Sequence, residues 1–540
     1  MDSSRFTPSR YIKPSTLIPL VLCISAAAQG RVLLPDESVV VTQGDTPESW
    51  TMATGSTLTV NSGAQTLSIG GGGAGSVVNL NAGSSAGRVN LSAGGAVANI
   101  TGASVTASGT DALVLLGSSA VLNNASVIST TGLGLFGTQI VNGAGSSFLI
   151  NGGTITGATG GASLSSGSKL DATGAVITGT NANSYGVRGF GSDISLRNST
   201  VTGGLNGLLY RVDPANVQQG TVNIEGSYIE GTNGAAILFN GQGGGMVADL
   251  NLLNGTTLTG GNGNALEVTN SATANVLLQN SEVTGNFAIS NGSVANLTFD
   301  AGRLIGNVSA DATSTGTLAL NNGSAVTGDV SGIDTVNLNA SSIIGNVTSA
   351  SSAGVVSLAN GSVLEGNVIS DNASLTASQM KGNITSMGSA GVVTLAGGSL
   401  LAGDISSNNV NLSGSQMIGD ITSISSAGVV SLVDGSVLEG NASSDKLSLS
   451  ASQMTGDLTS ISSAGVVSLV GNSTLRGNVS SDKVSLSGSR MNGDITSLSA
   501  AGLVTLAGGS ALEGNVNSDN VNLDASSITG DVASAGSAVS

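Results

Sequence analysis

A tripeptide, Gly-(Asn/Asp)-(Val/Ile), returns along the C-terminal half of the chain at spacings that alternate between 16 and 21 residues. It stands at Gly366-Asn367-Val368, Gly382-Asn383-Ile384, Gly403-Asp404-Ile405 and Gly419-Asp420-Ile421, and continues at Gly440, Gly456, Gly477, Gly493, Gly514 and Gly530. Only Ala442 and Leu458 depart at the third position. The two spacings sum to 37, and Ala-Gly pairs ending at Gly354, Gly391, Gly428, Gly465 and Gly502 keep the same period. A fixed period of this length calls for stacked units, each burying its apolar face only against its neighbours.

Aligning the 37-residue units exposes four apolar columns. Leu358 aligns with Leu395, Leu432, Leu469 and Leu506; Leu364 with Leu401, Leu438, Leu475 and Leu512; Leu375 with Leu412, Leu449, Leu486 and Leu523. Met380, Met417, Met454 and Met491 form the fourth, which ends in Ile528. Short Gly, Ser and Asn segments separate them, so each apolar run is of strand length. Abundant Gly and scarce Glu, Lys and Arg disfavour helices. Stacked in register, such strands bury a continuous core and pair their backbones with the turns above and below. The predicted fold is all-β, a right-handed parallel β-helix (a solenoid) with two coils per 37 residues and a rod on the order of 130 Å long. The Gly-Asn and Gly-Asp pairs then occupy one corner of every coil, where positive φ is tolerated, and stacked Asn side chains are expected to hydrogen-bond along the axis.

Composition narrows the function. Gly and Ser at this level suit a flexible linker, but 39% of residues are hydrophobic and recur at fixed positions, which a disordered chain lacks. The net charge is −17 and only 15 residues are Lys or Arg, so nucleic acid is not an expected partner. Residues 1–28 read as a signal peptide: Arg5, Arg10 and Lys13 precede a short apolar run at 17–24, and Ala26, Ala27 and Ala28 supply the small residues of a cleavage site. The apolar run is too short to span a bilayer, which takes about 20 residues. A lipid anchor at Cys23, the only cysteine, is disfavoured by Leu22 before it.

Residues 29–284 carry the same strand-and-turn pattern at irregular spacing, and 285–540 the regular repeats. Trp50, the single tryptophan, is a candidate cover for the first turn. The runs Ile177-Thr178-Gly179, Val201-Thr202-Gly203, Ile229-Glu230-Gly231, Leu258-Thr259-Gly260 and Val283-Thr284-Gly285 recur every 24 to 29 residues. Phe136, Phe148, Tyr185, Phe190, Tyr210, Tyr228, Phe239, Phe287 and Phe299 fall between Gly71 and Asp300, and none follows Phe299. The polar, Pro-containing stretch 210–219 reads as a loop. A binding surface is expected in this aromatic-bearing part, because departures from a repeat tend to carry function.

With no His in the chain, a Ser-His-Asp triad, histidine zinc ligands and a His general base are excluded. Asp404 and Asp420, on adjacent rungs, are the best candidates for a carboxylate pair or a metal site. Their column also contains Asn367, Asn383, Asn441, Asp457, Asn478, Asp494, Asn515 and Asp531, and reads first as a structural corner ladder. A calcium-type repeat at 260–265 fails because Ala265 stands where Asp is required. Glu365, Glu439 and Glu513, interrupted by Ala402 and Arg476, mark an exposed face. No catalytic residue, cofactor or metal is assigned.

The chain resembles the passenger domain of Gram-negative autotransporters of the pertactin and AIDA adhesin type. The likeness rests on the leader, the opening Leu34-Pro35-Asp36-Glu37-Ser38-Val39-Val40-Val41, the Gly-Ser-Thr-Leu-Thr-Val turn at Gly55, and the repeated Ser-x-Leu and Ile-x-Gly rungs. It implies export to the periplasm, passage through an outer-membrane β-barrel, a position on the cell surface or in the medium, and a host-cell or matrix partner. A translocator barrel needs alternating strands and aromatic girdles, and residues 300–540 have no aromatic residue, so a passenger truncated before its barrel is expected. The expected function is a non-enzymatic, adhesin or virulence-type passenger; the alternatives are a carbohydrate-active β-helix enzyme and a passive spacer rod.

Overall fold

The computed structural model describes residues 30–140, 143–165, 167–212 and 220–534. The predicted signal peptide with Cys23, and residues 213–219 of the predicted loop, lie outside the described residues. The described chain contains no helix, is about 58% strand, and winds into a parallel β-solenoid of about 23 turns. At one strand spacing per turn the rod is on the order of 110 Å long, shorter than the sequence estimate because many of the early coils are longer.

Each regular coil has three short strands and three corners. Val355–Ala359, Val363–Glu365 and Val368–Ile369 make one coil; Asn372–Thr376, Gln379–Lys381 and Ile384–Thr385 make the next. Every strand pairs in parallel with its counterpart one coil on. The longest ladder has 25 strands, from Arg31–Val32 to Val532–Ala533, and its two end strands each pair on one side only. The ladders run past residue 285 without a break, Asn264–Thr269 pairing with Asn286–Ile289.

The alternating spacing has a concrete cause. Val355 pairs with Asn372, 17 positions on, and Asn372 with Val392, 20 on. The short coil turns its first corner with residues 360–362 and returns through 370–371; the long coil turns with 377–378 and returns through 386–391. Counted at the Gly corner these coils read as 16 and 21, because the extra residue of the first corner is then grouped with the long return.

The four apolar columns merge into two. Leu358 stacks on Leu375 and Leu375 on Leu395, while Leu364 stacks on Met380 and Met380 on Leu401. The third wall of the core is the last residue of the tripeptide itself, since Val368, Ile384, Ile405 and Ile421 are all buried. Ala442 is tolerated there beside the longer Leu458, its neighbour in the stack.

Two columns of buried serine line the inside of the other corners. At the first corner Ser378 N–H donates to Ser399 Oγ at 3.2 Å, and Ser399 Oγ–H donates to the Ala396 carbonyl at 2.7 Å. The same pattern recurs at Ser452, Ser473, Ser489 and Ser510. At the return corner Ser386 Oγ–H reaches Ser407 Oγ, and Ser460 reaches Ser481, both at 2.8 Å. A hydroxyl is small enough for a tight corner and supplies the partner that a buried backbone group needs.

The first coils repeat after 19 or 20 residues, Ser38 pairing with Thr57 and Thr57 with Val77, and the coils that follow are wider, Ser119 pairing with Ser147, 28 positions on, and Lys169 with Asp193, 24 on. The extra interior space is filled by Phe148, Tyr210, Phe239, Phe287 and Phe299, each no more than 1% exposed. The Tyr210 and Phe239 rings lie 5.4 Å apart, and Phe287 and Phe299 meet edge-on at 6.0 Å. Most aromatics of this part therefore serve as core, while Phe136, Phe190 and Tyr228 are only half-buried. Tyr210 and Arg211 belong to the strand Asn206–Arg211 and not to a loop, and the buried Tyr210 hydroxyl exchanges hydrogen bonds with the Ser192 backbone. Trp50 is buried in the first turns with the Arg31 guanidinium 5.1 Å from its ring.

Candidate functional site

The Gly-Asn/Asp corner is built from two stacked requirements. Each corner Gly has a strongly positive φ, +153° at Gly403 and +142° at Gly419, which side chains other than hydrogen rarely allow. A Cβ there would also collide with the carbonyl of the Gly one turn back, Gly403 against Gly382 and Gly419 against Gly403. Sequence reasoning found the first requirement and missed the second.

The Asn/Asp residue performs a different task from the one expected. Its Oδ1 accepts the backbone N–H of the Asn or Asp on the following turn. Asn383 N–H reaches Asn367 Oδ1 at 2.9 Å, Asp404 N–H reaches Asn383 Oδ1 at 2.8 Å, and the pattern continues to Asp531 on Asn515 at 2.9 Å. Asn346 and Asn441 add an amide donation to the turn before, each at 3.2 Å, and Asn286 one to Asn264 at 3.4 Å. The ladder thus runs from side chain to backbone and needs one acceptor oxygen, which Asn and Asp supply equally.

Asp404 and Asp420 lie within this ladder. Their strands pair directly, Ile405 with Ile421, and Asp420 N–H donates to Asp404 Oδ1 at 2.9 Å. Asp420 Oδ1 accepts the Asn441 N–H at 2.7 Å. Both residues are exposed on the outer ridge. Among the described residues no three acidic, His or Cys side chains gather around a potential metal position. At residues 260–265 the chain turns through Gly263 and buries Ala265 completely, so an Asp at that place would face the core. In the Glu column, Lys381 sits beside Glu365, and Glu365 and Glu439 are four turns apart.

A second carboxylate column escaped the sequence reading. Asp371, Asp445 and Asp482, with Asn408 in the same series, are buried at the return corner of the short coils. Each Asp clasps the long return of the coil that follows, whereas Asn408 turns its amide to the Ser389 carbonyl on the return before it. Asp445 accepts the Ser462 N–H and Oγ–H, both at 2.7 Å, Asp371 accepts the Gly388 N–H at 2.7 Å, and Asp482 holds Ser499 in the same way as Asp445. The signal was present as a Ser-Asp pair every 37 residues, overshadowed by the louder Gly corner.

A groove of about 510 Å³ runs along the ridge where the wide coils give way to the narrow ones. One wall is the ladder from Asn286 through Asn307, Asp329 and Asn346 to Asn367; beside it runs a row of hydroxyls, Ser309, Ser331 and Thr348, ending in Ile369. The register confirms the row, Ser309 pairing with Ser331, Ser331 with Thr348 and Thr348 with Ile369. At the head of the groove, Asn262 and Asn264 both donate to Glu267 Oε1 at 2.7 Å. Glu267 and Ser331 are three turns apart in one column, so Glu267 and Asp329 stand roughly 14 Å or more from each other. That exceeds the separation of about 5 to 10 Å at which two carboxylates cooperate on a glycosidic bond. The groove is therefore furnished for hydrogen bonding by amides and hydroxyls.

No protein-family model matches the chain, and no curated protein matches it in sequence.

Proposed function

We propose that the chain is a non-enzymatic, adhesin-like passenger of the autotransporter type, held at the surface of a Gram-negative cell or released from it, with a host-cell or matrix partner. One observation carries this reading: the carboxylates most available for chemistry, Asp404 and Asp420, serve as backbone acceptors in a ladder that runs the length of the regular coils. A rod on the order of 110 Å with exposed sheet faces and a polar groove suits reach and contact. The 1–28 leader and the absence of later cysteine fit a route through the periplasm. Fold likeness alone never fixes function, so the reading stands on its test.

The test expresses the full chain with its own leader in a Gram-negative host, sequences the mature N-terminus, and measures binding of the purified rod to epithelial cells and matrix proteins. Cleavage near Ala28 and saturable binding support the proposal. An uncleaved cytoplasmic product, or a rod that binds neither cells nor matrix, refutes it and leaves the spacer reading. The adjacency of Asp404 and Asp420, about one strand spacing apart, favours the enzymatic alternative. Glycan cleavage that disappears in Asp404→Asn/Asp420→Asn would establish that alternative.

A further inference from the structure

The ladder requires only Oδ1 of each Asn or Asp; the second terminal atom, Nδ2 or Oδ2, is not part of it, although Asn286, Asn346 and Asn441 also turn their amide to the turn before. Its identity is not random along the rod. Between Asn286 and Asn367, where the ladder walls the groove, four of the five positions are Asn. From Asn383 to Asp531, where it forms an open ridge, five of nine are Asp. Both residues satisfy the backbone equally well, with acceptor distances of 2.8 to 3.0 Å at Asn307, Asp329 and Asn346. The preference for amides in the groove therefore has no structural cause in the ladder.

We infer that the groove binds a neutral glycan lying along the rod axis. The amide nitrogens of Asn307 and Asn367 make no hydrogen bond to another described residue, since the ladder engages these side chains only through Oδ1. They are exposed donors on a wall that rises one strand spacing per turn, roughly 19 Å from Asn286 to Asn367. The parallel row of Ser309, Ser331 and Thr348 offers hydroxyls that donate and accept. Such a surface matches a ligand dense in hydroxyl and ether oxygens and without charge. A polyanion would meet Asp329 inside the groove and a chain of net charge −17 around it. Ile369 breaks the hydroxyl column, which resumes at Thr385 and Ser406, and stands 39% exposed at the end of the groove. An exposed aliphatic side chain there supplies a dry contact for the C–H face of a sugar ring.

The inference rests on the adhesive reading and names its ligand class, and the two fail separately. The ladder provides its own control, because Asn→Asp keeps the backbone acceptor and changes only the free atom. Full-length chain is titrated with fluorescent cellohexaose, chitohexaose, maltohexaose and mannohexaose, with a heparin hexasaccharide and an uncharged unstructured peptide as comparisons. Wild-type chain is expected to bind at least one neutral hexasaccharide, and Asn307→Asp/Asn367→Asp to weaken it at least tenfold. Asn478→Asp/Asn515→Asp, outside the groove, is expected to change it less than twofold, with thermal unfolding alike in all three. The inference is overturned if no neutral hexasaccharide binds, if only heparin or the peptide binds, or if the two double variants behave alike. Cell binding that survives Asn307→Asp/Asn367→Asp sinks the groove and spares adhesion. Hexasaccharide binding without cell binding does the reverse.

Discussion

Gly414 and Gly419 lie five residues apart on the same coil, and the structure assigns them very different tolerance for a methyl group. At Gly414, φ is +56°, and the alternate positions of its column already hold alanine at +48° and +49°, Ala377 and Ala451. A Cβ on Gly414 meets nothing nearer than the Asp434 carbonyl at 3.6 Å, an ordinary contact. Gly414→Ala therefore exchanges a left-handed penalty of about 1–2 kcal/mol for a gain of about 0.4–1 kcal/mol from a stiffer unfolded chain. Its net effect is about 0–1.5 kcal/mol.

At Gly419 the φ of +142° lies in backbone territory reserved for Gly, at about 1–3 kcal/mol, and the new Cβ enters the Gly403 carbonyl. Relief requires the two turns to part, which weakens the bonds from Gly403 N–H to the Ile418 carbonyl and from Ile405 N–H to the Asp420 carbonyl, each 2.9 Å. The ladder bond from Asp420 N–H to Asp404 Oδ1 weakens with them. At about 0.5–1.5 kcal/mol per bond, Gly419→Ala is expected to cost about 3–6 kcal/mol. Stability in a solenoid is a sum over neighbouring turns and need not be lost in one transition. The assay is therefore native-state hydrogen exchange, read across the turns that contain residues 403–441 and compared with distant turns. Gly419→Ala should deprotect that region selectively, and Gly414→Ala should leave it near wild type. Equal protection in the two variants would refute the stacked-carbonyl account of the corner.

Further expectations follow from the same geometry. Asp482→Ala leaves the Ser499 N–H and hydroxyl without their shared acceptor at a buried corner; about 1–3 kcal/mol should be lost locally, seen as protease cleavage within 497–502. Asp482→Asn keeps one of the two acceptor oxygens and still fills the corner, so it should be milder; equal cleavage in both would contradict the clasp. Phe299→Ala empties a position that is 0% exposed in a wide coil, and by the usual cost of deleting a core aromatic should lose about 3–5 kcal/mol in denaturant unfolding. The Asp311 carboxyl is held well below its ordinary value by the Asn291 N–H and by the Thr313 and Ser314 side chains. The order it gives to the 291–314 turns is thus fully present above the ordinary carboxylate range and lost as pH falls through the depressed value. Hydrogen exchange of that segment should rise on strong acidification in wild type, and Asp311→Asn should remove the dependence.

The period, strand length and core positions were legible because each is written many times over. Leu358, Leu395 and Leu432 recur at one spacing, and no other fold satisfies that spacing together with so much Gly. The merging of columns was not legible, since Leu358 and Leu375 look distinct until the two coils of a unit are superposed with their unequal corners. The serine columns and the Asp371, Asp445 and Asp482 clasps were hidden for a different reason. Ser and Asp are ordinary surface residues in most contexts, and only the burial of a corner turns them into structural partners. The core role of Phe148, Tyr210 and Phe239 was hidden because irregular spacing does not reveal how wide a coil is.

The corner ladder shows why a solenoid of this kind can vary its surface without disturbing its fold. The backbone constrains the corner residue to present one oxygen at one place, and both Asn and Asp do so. The remaining atom decides whether that stretch of ridge donates hydrogen bonds or carries charge. Gly is under the opposite regime, since the stacked carbonyls leave no room for any substitution. Adjacent positions of one tripeptide are thus subject to unlike demands: the Gly is fixed by the turn before it, the Val or Ile by the core, and the Asn or Asp by only half of its functional group. Chemical variation in the regular coils should accumulate at that half, and the amide-rich stretch from Asn286 to Asn367 is where it coincides with a concave surface.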